Sequence, residues 1–202
     1  MKKTLTLLSF LPLVGFAQVR EKGSIELQPF AGFSTSKLYT SQKVNNKNIV
    51  SPYFGVNLEY YFSKKWSLKT GLEYLQMGSK SSGVQHLQVE ERYTNLALPL
   101  HASVHLLDNR NLYINFGPTF TYGIKYEDSF GMDDINNIDQ RFYLGIGVGV
   151  GYKYPITDKI SLGIDYQSFT RIPKFIEFSG TTDYYYMYGN SALNIKAVFQ
   201  LK

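Results

Sequence analysis

Residues 141–154 read Arg-Phe-Tyr-Leu-Gly-Ile-Gly-Val-Gly-Val-Gly-Tyr-Lys-Tyr. Phe142, Leu144, Ile146, Val148, Val150, Tyr152 and Tyr154 fall on one parity, and Arg141, Tyr143, Gly145, Gly147, Gly149, Gly151 and Lys153 on the other. A period of two is the signature of a β-strand with two unlike faces. A nucleotide-binding glycine loop needs its glycines at a strand-to-helix turn, but here the alternation runs on through them. The glycine row therefore reads as packing in a crowded interior.

The same pattern recurs along the chain. Phe54, Val56, Leu58, Tyr60 and Phe62 alternate with Gly55, Asn57 and Glu59; Ile160, Leu162, Ile164 and Tyr166 alternate with Ser161, Gly163, Asp165 and Gln167. Leu193, Ile195, Ala197, Phe199 and Leu201 alternate with Asn194, Lys196, Val198 and Gln200. Eight strands are expected, at 24–34, 52–62, 66–78, 92–106, 112–126, 140–154, 160–170 and 190–201. Three connections are tight (63–65, 107–111 and 155–159). The other four, 35–51, 79–91, 127–139 and 171–189, are long and rich in Ser, Asn, Asp and Gly. Short and long alternate strictly, which in an up-and-down barrel gathers all turns at one rim and all loops at the other.

Alternation alone leaves the inside undetermined. A soluble, lipocalin-like periplasmic ligand binder would turn the apolar face inward. Three features favour the inverted, membrane arrangement. Phe62, Trp66, Tyr74, Tyr126, Phe142, Tyr152, Tyr154 and Tyr166 lie near the ends of the apolar face, as interfacial girdles do. The glycine row suits a tight lumen, and several strands reach the roughly 9–11 residues of a tilted crossing. The expected fold is thus all-β, an eight-stranded antiparallel up-and-down transmembrane β-barrel.

Composition agrees. Of 202 residues 44% are hydrophobic and 16% aromatic, with 17 Tyr and 14 Phe but one Trp. The mean hydropathy is nevertheless −0.20, as interleaved faces require. Without Cys there are no disulfides and no thiolate metal sites. Lys2 and Lys3 followed by TLTLLSFLPLVGF form a secretory leader, with cleavage expected before Gln18. Residues 1–17 are then a signal peptide, and 18–202 the outer-membrane barrel domain. Without Lys2 and Lys3, 19 basic residues face 16 acidic ones, and the bases form no run that would grip a nucleic acid.

The inward parity collects a polar set: Glu26, Gln28, Asn57, Glu59, Lys69, Glu73, His101, His105, Asn115, Lys125, Arg141, Lys153, Asp165, Gln167, Lys196 and Gln200. Eight strands leave room only for side chains, so opposite charges should pair across the lumen and close it. Glu59, Lys69, Glu73, Lys125, Arg141, Lys153, Asp165 and Lys196 are the expected lumen network. Four residues along a strand span about 13 Å, too far for His101 and His105 to share one ion. Glu127, Asp128, Asp133, Asp134 and Asp139 read as a solvated loop, with a hard divalent cation as the alternative. Tyr184, Tyr185, Tyr186 and Tyr188 sit in the last long loop, as girdle or as candidate partner surface. His86, with Ser79, Ser81, Ser82 and Glu90 near it in sequence, is the one candidate for hydrolase or acyltransferase chemistry, though no motif frames it. No catalytic, cofactor or metal residue is assigned.

FGVNLEYYFSKKWSLKTGLEYLQMGSKS, YTNLALPLHASVHL with its Leu98-Pro99-Leu100, and the GPTFTYG strand from Gly117 to Gly123 resemble the PorT-like outer-membrane β-barrel proteins of Bacteroidota. The resemblance spans nearly the whole mature chain. It implies an eight-stranded barrel in the outer membrane of a Gram-negative bacterium, and for some members an association with protein secretion. It supplies no catalytic residues. The expected function is a non-enzymatic barrel, structural or accessory to a surface or secretion assembly, touching outer-membrane lipids and possible envelope or secretion partners. A small lipid-modifying enzyme and a periplasmic ligand binder are the alternatives.

Overall fold

The computed structural model describes residues 21–40, 46–82, 88–107, 111–129, 141–172, 174–176 and 184–201. The expected leader, His86, and the acidic stretch from residue 130 to 139 lie outside these residues.

The described chain is all β: β1 (Ile25–Thr40), β2 (Asn46–Lys47), β3 (Ile49–Tyr61), β4 (Trp66–Ser82), β5 (Gln88–Leu106), β6 (Leu112–Asp128), β7 (Phe142–Pro155), β8 (Ile160–Arg171), β9 (Lys174–Ile176) and β10 (Tyr184–Gln200). Eight long strands pair antiparallel with their sequence neighbours, and β1 pairs with β10 to close the barrel. Closure leaves no free sheet edge in the membrane, where an unpaired peptide group would be costly. The short β2 and β9 pair with the far ends of β4 and β10, beyond the stretches that pair with β3 and β8.

Parity decides what each face meets. Along β7 the residues from Phe142 to Tyr154 are alternately exposed and buried, with Ile146 at 60% exposure and Lys153 at 0%. Phe54, Leu58, Leu72, Leu98, Phe116, Leu162 and Ile195 also face outward. An apolar belt of this kind around a polar interior can only be stable in lipid. Tyr60, Phe62, Trp66, Tyr152 and Tyr154 ring the end with the tight turns and are all exposed.

The glycine row makes room for the opposite wall. A methyl group on Gly145 would collide with the Phe169 ring, on Gly147 with the His101 ring, on Gly149 with the Gln167 amide, and on Gly151 with Asp165 and Tyr113. Gly145, Gly147 and Gly149 thus each seat one inward side chain, and Gly151 seats two.

The eight main strands run 12 to 19 residues, longer than a crossing needs. The long connections are correspondingly shorter than the alternation suggested. Residues 79–82, 88–91 and 184–189, expected in loops, continue the ladders of β4, β5 and β10.

Candidate functional site

The lumen is stacked in layers. At the tight-turn end lies a charged plug. Lys153, from the glycine strand, donates to Glu26 Oε2 at 2.5 Å, Glu59 Oε2 at 2.6 Å and Tyr61 Oη at 2.9 Å. Gln28 Nε2 bridges the same two carboxylates at 2.9 and 2.5 Å. Lys196 Nζ donates to Gln28 Oε1 at 2.9 Å and Tyr113 Oη at 2.6 Å, and lies 3.1 Å from Asp165 Oδ2. Lys153 and Lys196 also stand over the Tyr113 ring, at 5.1 and 4.6 Å. All these side chains are buried, and a charge so placed persists only when paired and hydrogen-bonded.

Above the plug sits a second polar row. Lys69 is buried between its cross-strand neighbours Glu59 and His101. Glu73 accepts from Tyr53 Oη at 2.6 Å and from Asn57 Nδ2 at 3.1 Å. His101 contacts Asn115 Oδ1 at 3.1 Å and Thr119 Oγ1 at 2.9 Å through its two ring nitrogens. Tyr53, Glu73, His101, Thr119, Gln167 and Asn190 border a cavity of about 20 Å³, space for one water.

Towards the other rim the interior becomes apolar. Phe30, Tyr53, Leu75, Met77, Ala97, Phe169, Tyr188 and Ala192 form one buried cluster, with Leu38 and Tyr93 against it. The mouth is aromatic: Tyr93 packs on Tyr126 at 4.8 Å and on Tyr188 at 5.4 Å, and the Arg171 guanidinium lies 3.5 Å over the Tyr143 ring.

Of the eight expected lumen residues, Glu59, Lys69, Glu73, Lys153, Asp165 and Lys196 are buried in these two polar layers. Lys125 is not. The β5–β6 register shifts at Thr94/Asn95, so Thr94 faces Lys125 while Asn95 faces Gly123. One extra residue in β6 exchanges its two faces from there on. Lys125 therefore points outward, 59% exposed and 2.7 Å from Glu127, and Tyr126, expected in the outer girdle, turns into the mouth. Arg141 lies just before β7 and is half-buried at the rim, where its carbonyl accepts from Gly123 N; it stands apart from the plug.

The expected tyrosine loop is a strand. Tyr184, Tyr185 and Tyr186 pair with Ile176, Phe175 and Lys174. Tyr188 is buried, its hydroxyl 3.2 Å from Glu91 Oε2. It is a lumen residue because it shares the parity of Asn190, Ala192 and Asn194.

Tyr61, Ser67 and Tyr113 are plug members that sequence reasoning passed over. Their parity with Glu59, Lys69 and Asn115 was the available signal. Ser67, His105 and Glu59 do come together: Ser67 Oγ and Glu59 Oε1 each lie 2.9 Å from His105 Nε2, and Ser67 also donates to Glu59. This is no relay, because one nitrogen serves both partners, whereas a catalytic histidine uses opposite nitrogens. The trio is also sealed, with His105 at 1% exposure.

Comparison with known proteins places this architecture. The family model described as outer membrane protein beta-barrel domain matches residues 4–199. OprG from Pseudomonas aeruginosa superposes with a TM-score of 0.56 at 11% identity, over 90% of this chain and 98% of that one. Ail of Yersinia pestis, solved with the heparin analogue sucrose octasulfate, gives 0.45 at 14% identity over 87% and 99%. Neisserial surface protein A gives 0.44 at 13% over 85% and 95%. No curated protein matches the chain.

Proposed function

Taking as premise that this chain belongs to the outer membrane protein beta-barrel domain family and resides in the outer membrane, we propose that it is a closed, non-enzymatic barrel. In this reading it is a structural or accessory member of a surface or secretion assembly, of the PorT-like kind found in Bacteroidota. Partners would meet it at the rim of long strands and connections.

One observation carries the closed-barrel part of this reading: among the described residues the lumen is blocked in turn by a charged layer and an apolar one. An ion crossing it would have to break the Lys153–Glu26–Glu59 cluster and then enter the apolar layer of Phe30, Leu75, Met77 and Phe169. Breaking a buried pair costs about 3–5 kcal/mol, and the apolar layer offers a hydrated ion nothing in return. Purified protein in planar bilayers is expected to show no stable conducting state. Long-lived, ohmic open channels would overturn the closed-barrel reading.

A further inference from the structure

Lys153 and Lys196 are each held by several oxygens, and Lys69 is not. It is 2% exposed, yet it makes no hydrogen bond and no ion pair among the described residues. The carboxylates nearest to it in the ladder are committed elsewhere. Glu59, directly across on β3, serves Lys153, Gln28, Ser67 and His105. Glu73, four residues on along the same face of β4, accepts from Tyr53 and Asn57. A buried ammonium without a partner is strongly unfavourable.

Six further atoms share its condition. Asn57 Oδ1, Ser103 Oγ, Asn115 Nδ2, Asp165 Oδ1, Gln167 Nε2 and Asn194 Oδ1 are buried and find no partner in the protein. Their residues are at most 9% exposed. They also share a level. Pairing followed once around the barrel from Ile25 returns at Thr35, ten residues further along β1. The ladder therefore climbs about one and a quarter residues per strand. Corrected for that climb, Asn57, Lys69, Ser103, Asn115 and Asp165 fall within about two residues of one height, just above the plug. Asn194 and Gln167 border the same level from above, and Gln167 also lines the cavity of about 20 Å³.

We propose that this level is a binding site for water, an enclosed cluster of about two or three molecules that solvates Lys69 inside the barrel. The kind of atom selects the ligand. Lys69, Asn115 Nδ2 and Gln167 Nε2 can only donate, whereas Asn57 Oδ1, Asp165 Oδ1 and Asn194 Oδ1 can only accept. An anion would meet the three acceptors and a metal ion the ammonium, but water satisfies both sets. The cluster is held rather than in transit, because the Lys153 plug lies below it and the Phe30–Met77–Phe169 layer above. This goes beyond the closed-barrel reading: a dry level would leave the lumen closed, and conductance does not report on how Lys69 is solvated.

Two measurements on the full-length protein test it. The first is a crystal structure at atomic resolution, grown from a lipidic phase in bromide. Ordered water is expected within hydrogen-bond distance of Lys69 Nζ and of Asn57 Oδ1 or Asp165 Oδ1, with no anomalous peak at the level. The second is nuclear magnetic resonance in bicelles, which reads cross-relaxation between water and the side-chain amide protons of Asn115 and Gln167. K69M is expected to lose most of that signal at Asn115, while K64M, on an exposed turn, keeps it. Folding is checked by heat-modifiable gel mobility, and K69Q replaces K69M if the latter does not fold. The proposal is overturned by Lys69 Nζ bonded directly to Glu73 or Asp165 with no water at the level, by bromide bound there, by no water contact at either amide in the wild type, or by an undiminished signal in the folded Lys69 variant.

Discussion

Replacing Lys153 by methionine tests whether the plug is an ion-paired unit. The side chain is fully buried and donates three hydrogen bonds, two of them to carboxylates. Hydrogen bonds to charged groups contribute about 1.5–3 kcal/mol each, so the two carboxylate bonds alone suggest about 3–6 kcal/mol. Glu26 retains Gln28, and Glu59 retains Gln28, His105 and Ser67. That remaining support puts the expected loss near the lower half of the range, about 3–4 kcal/mol. The triple variant K153M/E26Q/E59Q removes both negative charges with the positive one. It is expected to recover most of the loss, since replacing a whole buried ion cluster costs far less than stranding one member. The assay is urea-driven unfolding in lipid vesicles, followed by fluorescence of Trp66, the chain's one tryptophan, which faces lipid at the tight-turn rim. A loss below about 1 kcal/mol in the single variant, or a triple variant no more stable than the single one, would refute the argument.

Further outcomes can be checked with the same preparation. Gly147→Leu should destabilise the barrel by about 1–3 kcal/mol or more, because the His101 ring occupies the space, whereas Ile146→Leu on the lipid face should cost less than about 1 kcal/mol; equal effects would contradict the assignment of faces. The chain has no cysteine, so Lys125→Cys should react rapidly with a membrane-impermeant maleimide on folded protein, and Ser103→Cys, fully buried, only after unfolding. Fast labelling at Ser103 would mean an open lumen, and protection at Lys125 would remove the bulge. Phe169→Ala should cost about 3–5 kcal/mol, as truncation of a core aromatic does, and a near-neutral result would show that the apolar layer is loosely packed. Ser67→Ala should leave folding in vesicles intact within about 1–2 kcal/mol, and any ester hydrolysis lost with it would contradict the structural reading of Ser67, His105 and Glu59.

The barrel was legible because its information is one-dimensional. Period two and the alternation of short and long connections need no knowledge of partners, and 141–154 alone excludes a helix. The lumen was legible only while the count held. Nothing in Tyr122-Gly123-Ile124-Lys125-Tyr126 announces an extra residue, for Tyr122, Ile124 and Tyr126 continue a plausible outward row. The bulge exists only as a relation to Thr94 and Asn95 on the next strand, so the sequence of β6 carries no mark of it. Tyr188 was misplaced for a related reason: a tyrosine-rich segment beside a long polar stretch reads as loop, and its pairing with Leu38 across the closing seam joins residues 150 positions apart.

The apolar upper lumen was the larger surprise, yet it follows from a rule visible in single strands. In β4 the outward residues run Trp66, Leu68, Leu72 and Tyr74, and then become Gln76 and Lys80, while the inward ones change from Ser67, Lys69 and Glu73 to Leu75 and Met77. In β5 outward Leu100, Leu98 and Leu96 give way to Arg92 and Glu90, and inward His105, Ser103 and His101 give way to Ala97 and, past the buried Asn95, to Tyr93. Lipid asks for apolar residues outside, and water asks for them inside. One strand crossing from the first solvent to the second must therefore exchange its parities, and the adjacent apolar pair Tyr74-Leu75 is where β4 does so. It follows that the rim is not a set of loops hung on a membrane barrel. It is the same barrel carried on past the belt, with Phe30, Leu75, Met77, Phe169 and Tyr188 packed inside it among buried Ser36, Ser51 and Asn95.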